Sequence, residues 1–313
     1  MIKGGVGFFD SGIGGLTVLS ACAHAMESVA YYYGDNARAP YGNLPPSVIR
    51  RYVEEAFLLF EQLEARAVVV ACNTATAVCL EDLRARYAFP IIGTEPALLP
   101  ASSCGGEVLV LATRATVESV RFATLLQRSS KNNPKTTYRV EACDGLAGAI
   151  EKGEPFERIK QRLPTCNPSA VVLGCTHYVY IRKEIENYYG VPVFDGNDGV
   201  ARRLHSILSN DSIDHFSKNF TKSRDERPLF DFLPIFEGES TTYCHAENVQ
   251  NSNGTNMNKC SQKCAKNAKK VSKMLDFSQI YFFGSGREIN YKKYEQMFVV
   301  NKNSKWRKVE GKI

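Results

Sequence analysis

Short apolar runs, each broken by a polar or glycine-bearing turn and followed by a segment of helical period, recur along the first two thirds of the chain. Residues 6–9 (VGFF) run into Asp10-Ser11-Gly12-Ile13-Gly14-Gly15 and then the periodic stretch LTVLSACAHAM. That order predicts strand, glycine-rich turn and helix. A second strand at 29–33 (VAYYY) leads into the polar loop GDNARAPYGN, and a helix is predicted from Pro46 to Glu64 with Val48, Tyr52, Ala56, Leu59 and Leu63 on one face. Residues 67–71 (AVVVA) form a third strand ending at Cys72-Asn73-Thr74-Ala75-Thr76, with a helix to about Tyr87, and 90–94 (PIIGT) form a short fourth.

The pattern then restarts. EVLVLA (107–112) enters Thr113 and a helix predicted over 117–127; YRVEAC (138–143) precedes LAGAIEKG and a further helix at 156–163. AVVLG (170–174) ends in Cys175-Thr176-His177 and a helix through Tyr189, and VPVFDG (191–196) leads to a last helix ending near Leu208. Strands alternating with helices predict an α/β fold whose parallel sheets are covered on both faces. VVVACNTA (68–75) and VVLGCTHY (171–178) are near-repeats, an apolar strand closing on a cysteine, 103 residues apart. The expectation is two similar parallel-sheet α/β domains related by a pseudo-two-fold. Ligands in open α/β sheets bind beyond the carboxyl ends of strands, so Cys72 and Cys175 should face each other across a cleft.

Composition adds a boundary. Hydrophobic residues make up 44% of the chain and charged residues 23%, and no run approaches the roughly 18 apolar residues of a membrane span. The N-terminus lacks the apolar core of a secretory signal, so a cytoplasmic protein with no membrane partner is expected. Residues 1–210 balance 21 Lys+Arg against 21 Asp+Glu, whereas 211–313 carry 18 against 12 and the whole +6 surplus. Arginine dominates before residue 210 and lysine after it. The ten cysteines sit in a chain too large to depend on bridges, and most read as small buried hydrophobes.

Two of the ten carry chemistry because of where they stand. A lone cysteine ending a buried strand is ordinarily structural; a pair at equivalent positions of a repeat, each followed by polar residues, is not. Inverting a carbon centre by proton transfer needs a base on one face and an acid on the other, and two thiols on opposed domains meet that geometry. Each lies where a strand is predicted to turn into a helix, so backbone N–H groups and the helix dipole should favour its thiolate. The same turns bring Ser11, Asn73, Thr74, Thr76, Thr113 and Thr176 as groups able to hold carboxylate oxygens. Asp10 reads either as a helix cap or as an acid/base group, His177 as structural or catalytic, and Glu151 as a surface glutamate. No lysine stands where a pyridoxal Schiff base is expected and no GxxxxGK[ST] loop occurs, so neither pyridoxal chemistry nor a P-loop nucleotide site is expected.

FDSGIGGLTV (9–18), GDNARAPYGN (34–43), ACNTAT (71–76), LGCTHY (173–178) and FDGNDGVA (194–201) resemble, in order and spacing, the glutamate racemases of the aspartate/glutamate racemase family. The resemblance covers residues 6–208. It implies that Cys72 and Cys175 are the two proton donor/acceptors, that Asp10 assists Cys72, and that Glu151 and His177 assist Cys175. It places Asp10, Ser11, Tyr41, Gly42, Asn73, Thr74, Thr176 and His177 around a bound glutamate. It also implies cofactor-independent interconversion of L- and D-glutamate, with D-glutamate destined for peptidoglycan. Aspartate or hydantoin racemases share the two-cysteine plan, and a non-catalytic binding protein using its basic C-terminal region is the reading from another class.

The chain departs from that family after residue 208. IYFFGSGREINYKKYEQMF (280–298) reads as a closing strand and helix, delayed by an Asn/Lys-rich insertion over 210–276. The expected domains are therefore 1–93, completed by 208–313, and 94–207. Cys244, His245, Cys260 and Cys264 in the insertion are too loosely spaced for a zinc site. A homodimer is expected, and nucleic acid is not an expected partner despite the lysines.

Overall fold

The computed structural model describes residues 4–23, 26, 29–209, 280–285 and 307–308. The insertion, its four candidate ligands and the closing helix lie outside the described residues. Two parallel sheets carry the fold. The first runs β1 (Val6–Asp10), β2 (Ala30–Gly34), β3 (Ala67–Val70) and β4 (Ile91–Gly93), joined by β9 (Ile280–Gly284) and β10 (Arg307–Lys308). The second holds β5 (Gly106–Ala112), β6 (Thr136–Ala142), β7 (Ala170–Gly174) and β8 (Val193–Asp195).

The spatial orders are β10-β9-β2-β1-β3-β4 and β6-β5-β7-β8. The core of the first, β2-β1-β3-β4, repeats strand for strand in the second. The near-repeat in sequence is thus a repeat in topology, with β3 and β7 in the same place. All described pairings are parallel, which forces a crossover between neighbours and puts helices on the sheet faces. Strands β1, β2, β3 and β7 are buried at every position, as the unbroken apolar runs require.

On one face of the first sheet, α2 (Pro46–Gln62) and α3 (Asn73–Arg86) pack over Phe9, Tyr31, Val68 and Val70. Helix α2 turns Ile49, Val53, Phe57 and Phe60 inward along with Ala56 and Leu59. Its buried stripe is therefore rotated from the predicted Val48/Tyr52 line, because two adjacent apolar rows run along the helix and the row with two phenylalanines buries more area. On the other face lie α1 (Gly15–Cys22) and α10 (Asn197–Ser209), whose Val200 and Leu204 join Leu16, Val18 and Leu19 in one core. Helix α10 follows β8 of the second sheet yet packs on the first. Its apolar face finds its partner in α1.

Three further elements differ from the pattern. The helix predicted over 117–127 is two, α5 (Arg114–Val117) and α6 (Val120–Asn132), because Thr113 and Ser119 each cap a new start by accepting from the N–H three residues on. A short α4 (Leu98–Ser102) follows the crossing into the second half. Residues Thr176–Ile181 form a 3-10 helix, and α9 begins only at Arg182 (Arg182–Tyr189). Helices α7 (Leu146–Glu151) and α8 (Phe156–Ile159) complete the second half. No helix among the described residues is long and apolar enough to cross a membrane.

Candidate active site

Cys72 lies two residues beyond the end of β3 and Cys175 one residue beyond the end of β7. Both are buried, and they are close enough for the charge of Cys175 to act on Cys72. Cys72 is the N-cap of α3, and its sulfur accepts from the Ala75 N–H at 3.4 Å. The Ser11 hydroxyl lies 3.5 Å from the same sulfur. Those contacts favour the thiolate, but burial and the negative charge of Asp10 outweigh them, and the Cys72 thiol is pushed up to about 12. The expectation that the turn lowers this pKa is corrected: desolvation of a wholly enclosed sulfur exceeds what one backbone N–H returns. At Cys175 the helix-dipole argument loses its basis, since only a six-residue 3-10 helix with no side-chain cap follows.

Asp10 ends β1 fully buried, accepting from the Gly12 N–H at 2.9 Å and from the Thr176 hydroxyl at 3.2 Å. It thereby joins the two halves beside the cysteines. Burial raises its pKa, opposed by the positive His177 and by hydrogen bonds from Gly12, Gly15 and Thr176. His177 is 2% exposed and packs on the glycine turn. A Cβ on Gly14 would stand 2.4 Å from Thr176 Oγ1 and 2.8 Å from His177 N and Nδ1, so the turn needs a residue without a side chain there. His177 Nε2 lies 3.4 Å from Glu151 Oε2, within ion-pair reach, although the angle leaves Nε2 without a well-directed acceptor. Burial opposes the imidazolium, but the adjacent Cys175 sulfur, Glu151 and the charge of Asp10 overcome it, lifting His177 to about 10. Glu151, unrelated by spacing, therefore meets His177, which neighbours Cys175.

Hydroxyls gather beyond Cys72. Thr74 Oγ1 and Thr113 Oγ1 are 2.8 Å apart, and Thr113 Oγ1 is 2.9 Å from Thr116 Oγ1. Gly42 abuts this row, where a Cβ would come within 3.0 Å of Thr113. Tyr41 follows the cis Ala39–Pro40 bond, lies buried, and donates its hydroxyl to Asp35. Thr116 was missed by sequence reasoning; the spacing Thr113-x-x-Thr116 at a helix start was the available signal. Two expected residues are turned elsewhere. Asn73 donates to the Thr94 carbonyl at 3.1 Å, and the Thr76 hydroxyl donates to Val70 O and accepts from the Thr94 N–H, tying β3 to the chain after β4. Both line a shallow recess beside Thr94, Glu95 and Arg121.

This arrangement can do two things. Two thiols with separate polar partners can give and take a proton from either side of one carbon, and the surrounding hydroxyls and N–H groups can hold carboxylates.

The chain matches the model of the Asp/Glu/Hydantoin racemase family over residues 16–204. A glutamate racemase from Clostridium perfringens is 38% identical over 227 residues, covering 68% of this chain and 86% of the relative. One from Halothermothrix orenii is 36% identical over 259 residues, covering 74% and 98%. The crystal structure of Escherichia coli glutamate racemase with L-glutamate and the activator UDP-MurNAc-ala superposes with a TM-score of 0.58 at 32% identity, covering 66% of this chain and 83% of that one. With its paired strand-end cysteines, its two parallel sheets and this extent of similarity, the chain belongs to the Asp/Glu/hydantoin racemase family.

Proposed function

We propose that this chain is a glutamate racemase that interconverts the L and D enantiomers by proton transfer between Cys72 and Cys175, with no organic cofactor. The observation that carries the reading is the placement of these two buried thiols at equivalent strand ends, each with its own acid/base neighbours. One thiolate removes the α-proton, and the opposed thiol delivers a proton to the other face of the carbanion. Asp10 serves Cys72; Glu151 and His177 serve Cys175. Ser11, Tyr41, Gly42, Thr74, Thr113 and Thr176 line the space for the substrate carboxylates, and Asn73 and Thr76, held to Thr94, fix the turn behind them. Burial makes the Cys72 thiolate scarce but strongly basic, which suits a weakly acidic C–H bond. The substrate ammonium group, brought next to the sulfurs, offsets the desolvation that disfavours them.

The relatives named above support glutamate as the substrate. The seven described cysteines are all free, in keeping with the reducing cytoplasm where D-glutamate enters peptidoglycan. The test is incubation of either glutamate enantiomer with the protein in heavy water. Formation of the opposite enantiomer with deuterium at its α-carbon supports the proposal. Unchanged optical rotation and no α-deuterium overturn it, and the same assay on aspartate and hydantoins identifies a different substrate.

A further inference from the structure

Three strand ends align at one edge of the site. Asp10 of β1 pairs in register with Gly34 of β2, and Gly34 pairs with Gly284 of β9. The next residues therefore lie side by side at the carboxyl edge of the sheet: Ser11, Asp35 and Ser285. The fit is tight, since a Cβ on Gly284 would come within 2.9 Å of Gly34 O, and one on Gly34 within 2.8 Å of Gly12 O.

Asp35 is wholly buried and receives three side-chain donors. Arg38 Nε reaches its oxygens at 2.8 and 2.7 Å, the Tyr41 hydroxyl donates to Oδ2, and the Ser285 hydroxyl donates to Oδ1. Ser285 Oγ in turn accepts the Ala37 N–H at 3.3 Å. The Asp35 N–H donates to the Asp10 carbonyl at 3.0 Å, which fixes this cluster to the candidate acid/base strand. One serine, 250 residues away in sequence, thus clasps both ends of the 35–37 turn and shares its carboxylate with Tyr41.

We infer that Ser285 is a positioning residue: through Asp35 it holds the loop carrying Tyr41 and Gly42 against Thr113, so the strand that returns after the long insertion completes the substrate site without touching the substrate. The inference rests on the racemase reading above. It also gives the late strand β9 a function, since the first sheet's edge would otherwise present Asp35 with one donor fewer. A hydrogen bond to a buried carboxylate is of an order that shifts an equilibrium roughly ten- to a hundredfold. Part of that reaches substrate binding.

The experiment compares full-length Ser285→Ala, Ser285→Thr and wild type. Ser285→Ala is expected to raise KM for glutamate about tenfold in both directions, to change kcat by less than about threefold, and to speed amide deuterium uptake in the 35–43 segment, with β1 and β3 unchanged. Ser285→Thr, which keeps the hydroxyl, restores both readouts. In the double variant with Tyr41→Phe, the two KM effects are expected to fall short of multiplying, because both act on one carboxylate. An unchanged KM and unchanged exchange at 35–43 overturn the inference, and so does a uniform rise in exchange with a lowered Tm, which marks general destabilisation. If wild type proves inactive on glutamate, the racemase reading fails on its own, and the exchange measurement still decides the role of Ser285.

Discussion

His177→Gln separates a catalytic imidazolium from a structural ring. The side chain is buried against Gly12 and Gly14, and a glutamine of similar length keeps a polar group there while removing the charge. In the folded protein the histidine is lifted from 6.5 to about 10, burial being overcome by Cys175, Glu151 and Asp10. At about 1.4 kcal/mol per pH unit, that gap is a net preference for the imidazolium of roughly 5 kcal/mol, left after the burial penalty has been overcome. The thiolate of Cys175 receives only part of this, so the loss of kcat/KM is expected to be about 10²- to 10³-fold, in the usual range for acid/base assistance.

The two directions cannot differ in kcat/KM, because enantiomers have equal free energy and the equilibrium constant is one for any variant. Asymmetry must appear in the isotope effects. With α-deuterated L- and D-glutamate, His177→Gln should enlarge the isotope effect for the enantiomer deprotonated by Cys175 and shrink it for the other. The pH profile supplies a second check. The folded pKa lies above the unfolded one, so the ionic contribution of His177 is complete below about pH 6.5 and is lost as pH rises through about 10. Wild-type kcat/KM and Tm should both decline on that alkaline limb, and the variant should lack this decline. A variant within tenfold of wild type, or one whose two isotope effects move together, refutes the assignment.

Cys72→Ser and Cys175→Ser are each expected to lower racemisation by several orders of magnitude, since a serine hydroxyl is far less acidic; near-normal turnover in either, measured by circular dichroism, removes that thiol from the mechanism. Asp10→Asn deletes the charge that helps raise Cys72, so its thiol pKa should fall below about 12, read as faster alkylation of the Cys72 peptide by mass spectrometry at fixed pH. An unchanged or slower alkylation rate contradicts this. Gly14→Ala forces a methyl into Thr176 and the His177 backbone, and should cost about 1–3 kcal/mol in denaturant unfolding together with most of the activity.

Much of the fold was legible because parallel strands buried on both faces must be continuous apolar runs. AVVLG at 170–174 is β7 to the residue. Helix limits were less so. Thr113 and Ser119 look like ordinary polar residues in a helical stretch until each is seen to cap a separate helix. The standing of Cys72 and Cys175 at equivalent strand ends was legible because the repeat placed them there. Glu151 had no signal of its own: its meeting with His177 depends on where α7 ends relative to β7, and only the family resemblance pointed to it. Asp35 and Ser285 were hidden for the same reason, since register between strands distant in sequence is decided by packing.

The structure also changes what the two thiols have in common. They occupy equivalent positions in repeated units, but their surroundings are not equivalent. Cys72 caps a full α-helix and faces a carboxylate, whereas Cys175 begins a 3-10 turn and faces an imidazole. The Asp10–Thr176 bond and the His177 contact with the glycine turn cross from one half to the other, so neither environment belongs to a single domain. Burial is the largest cause of the raised pKa of both Cys72 and Asp10. Any separation of the halves that admits water therefore lowers both, and closure raises both again. Proton affinity at the first thiol is tied to closure by desolvation. His177, beside the second thiol, feels the charge of Asp10 across the same seam. Two chemically unlike supports thus meet at one seam, and under the proposed mechanism a topologically symmetric scaffold would use a different base for each half-step.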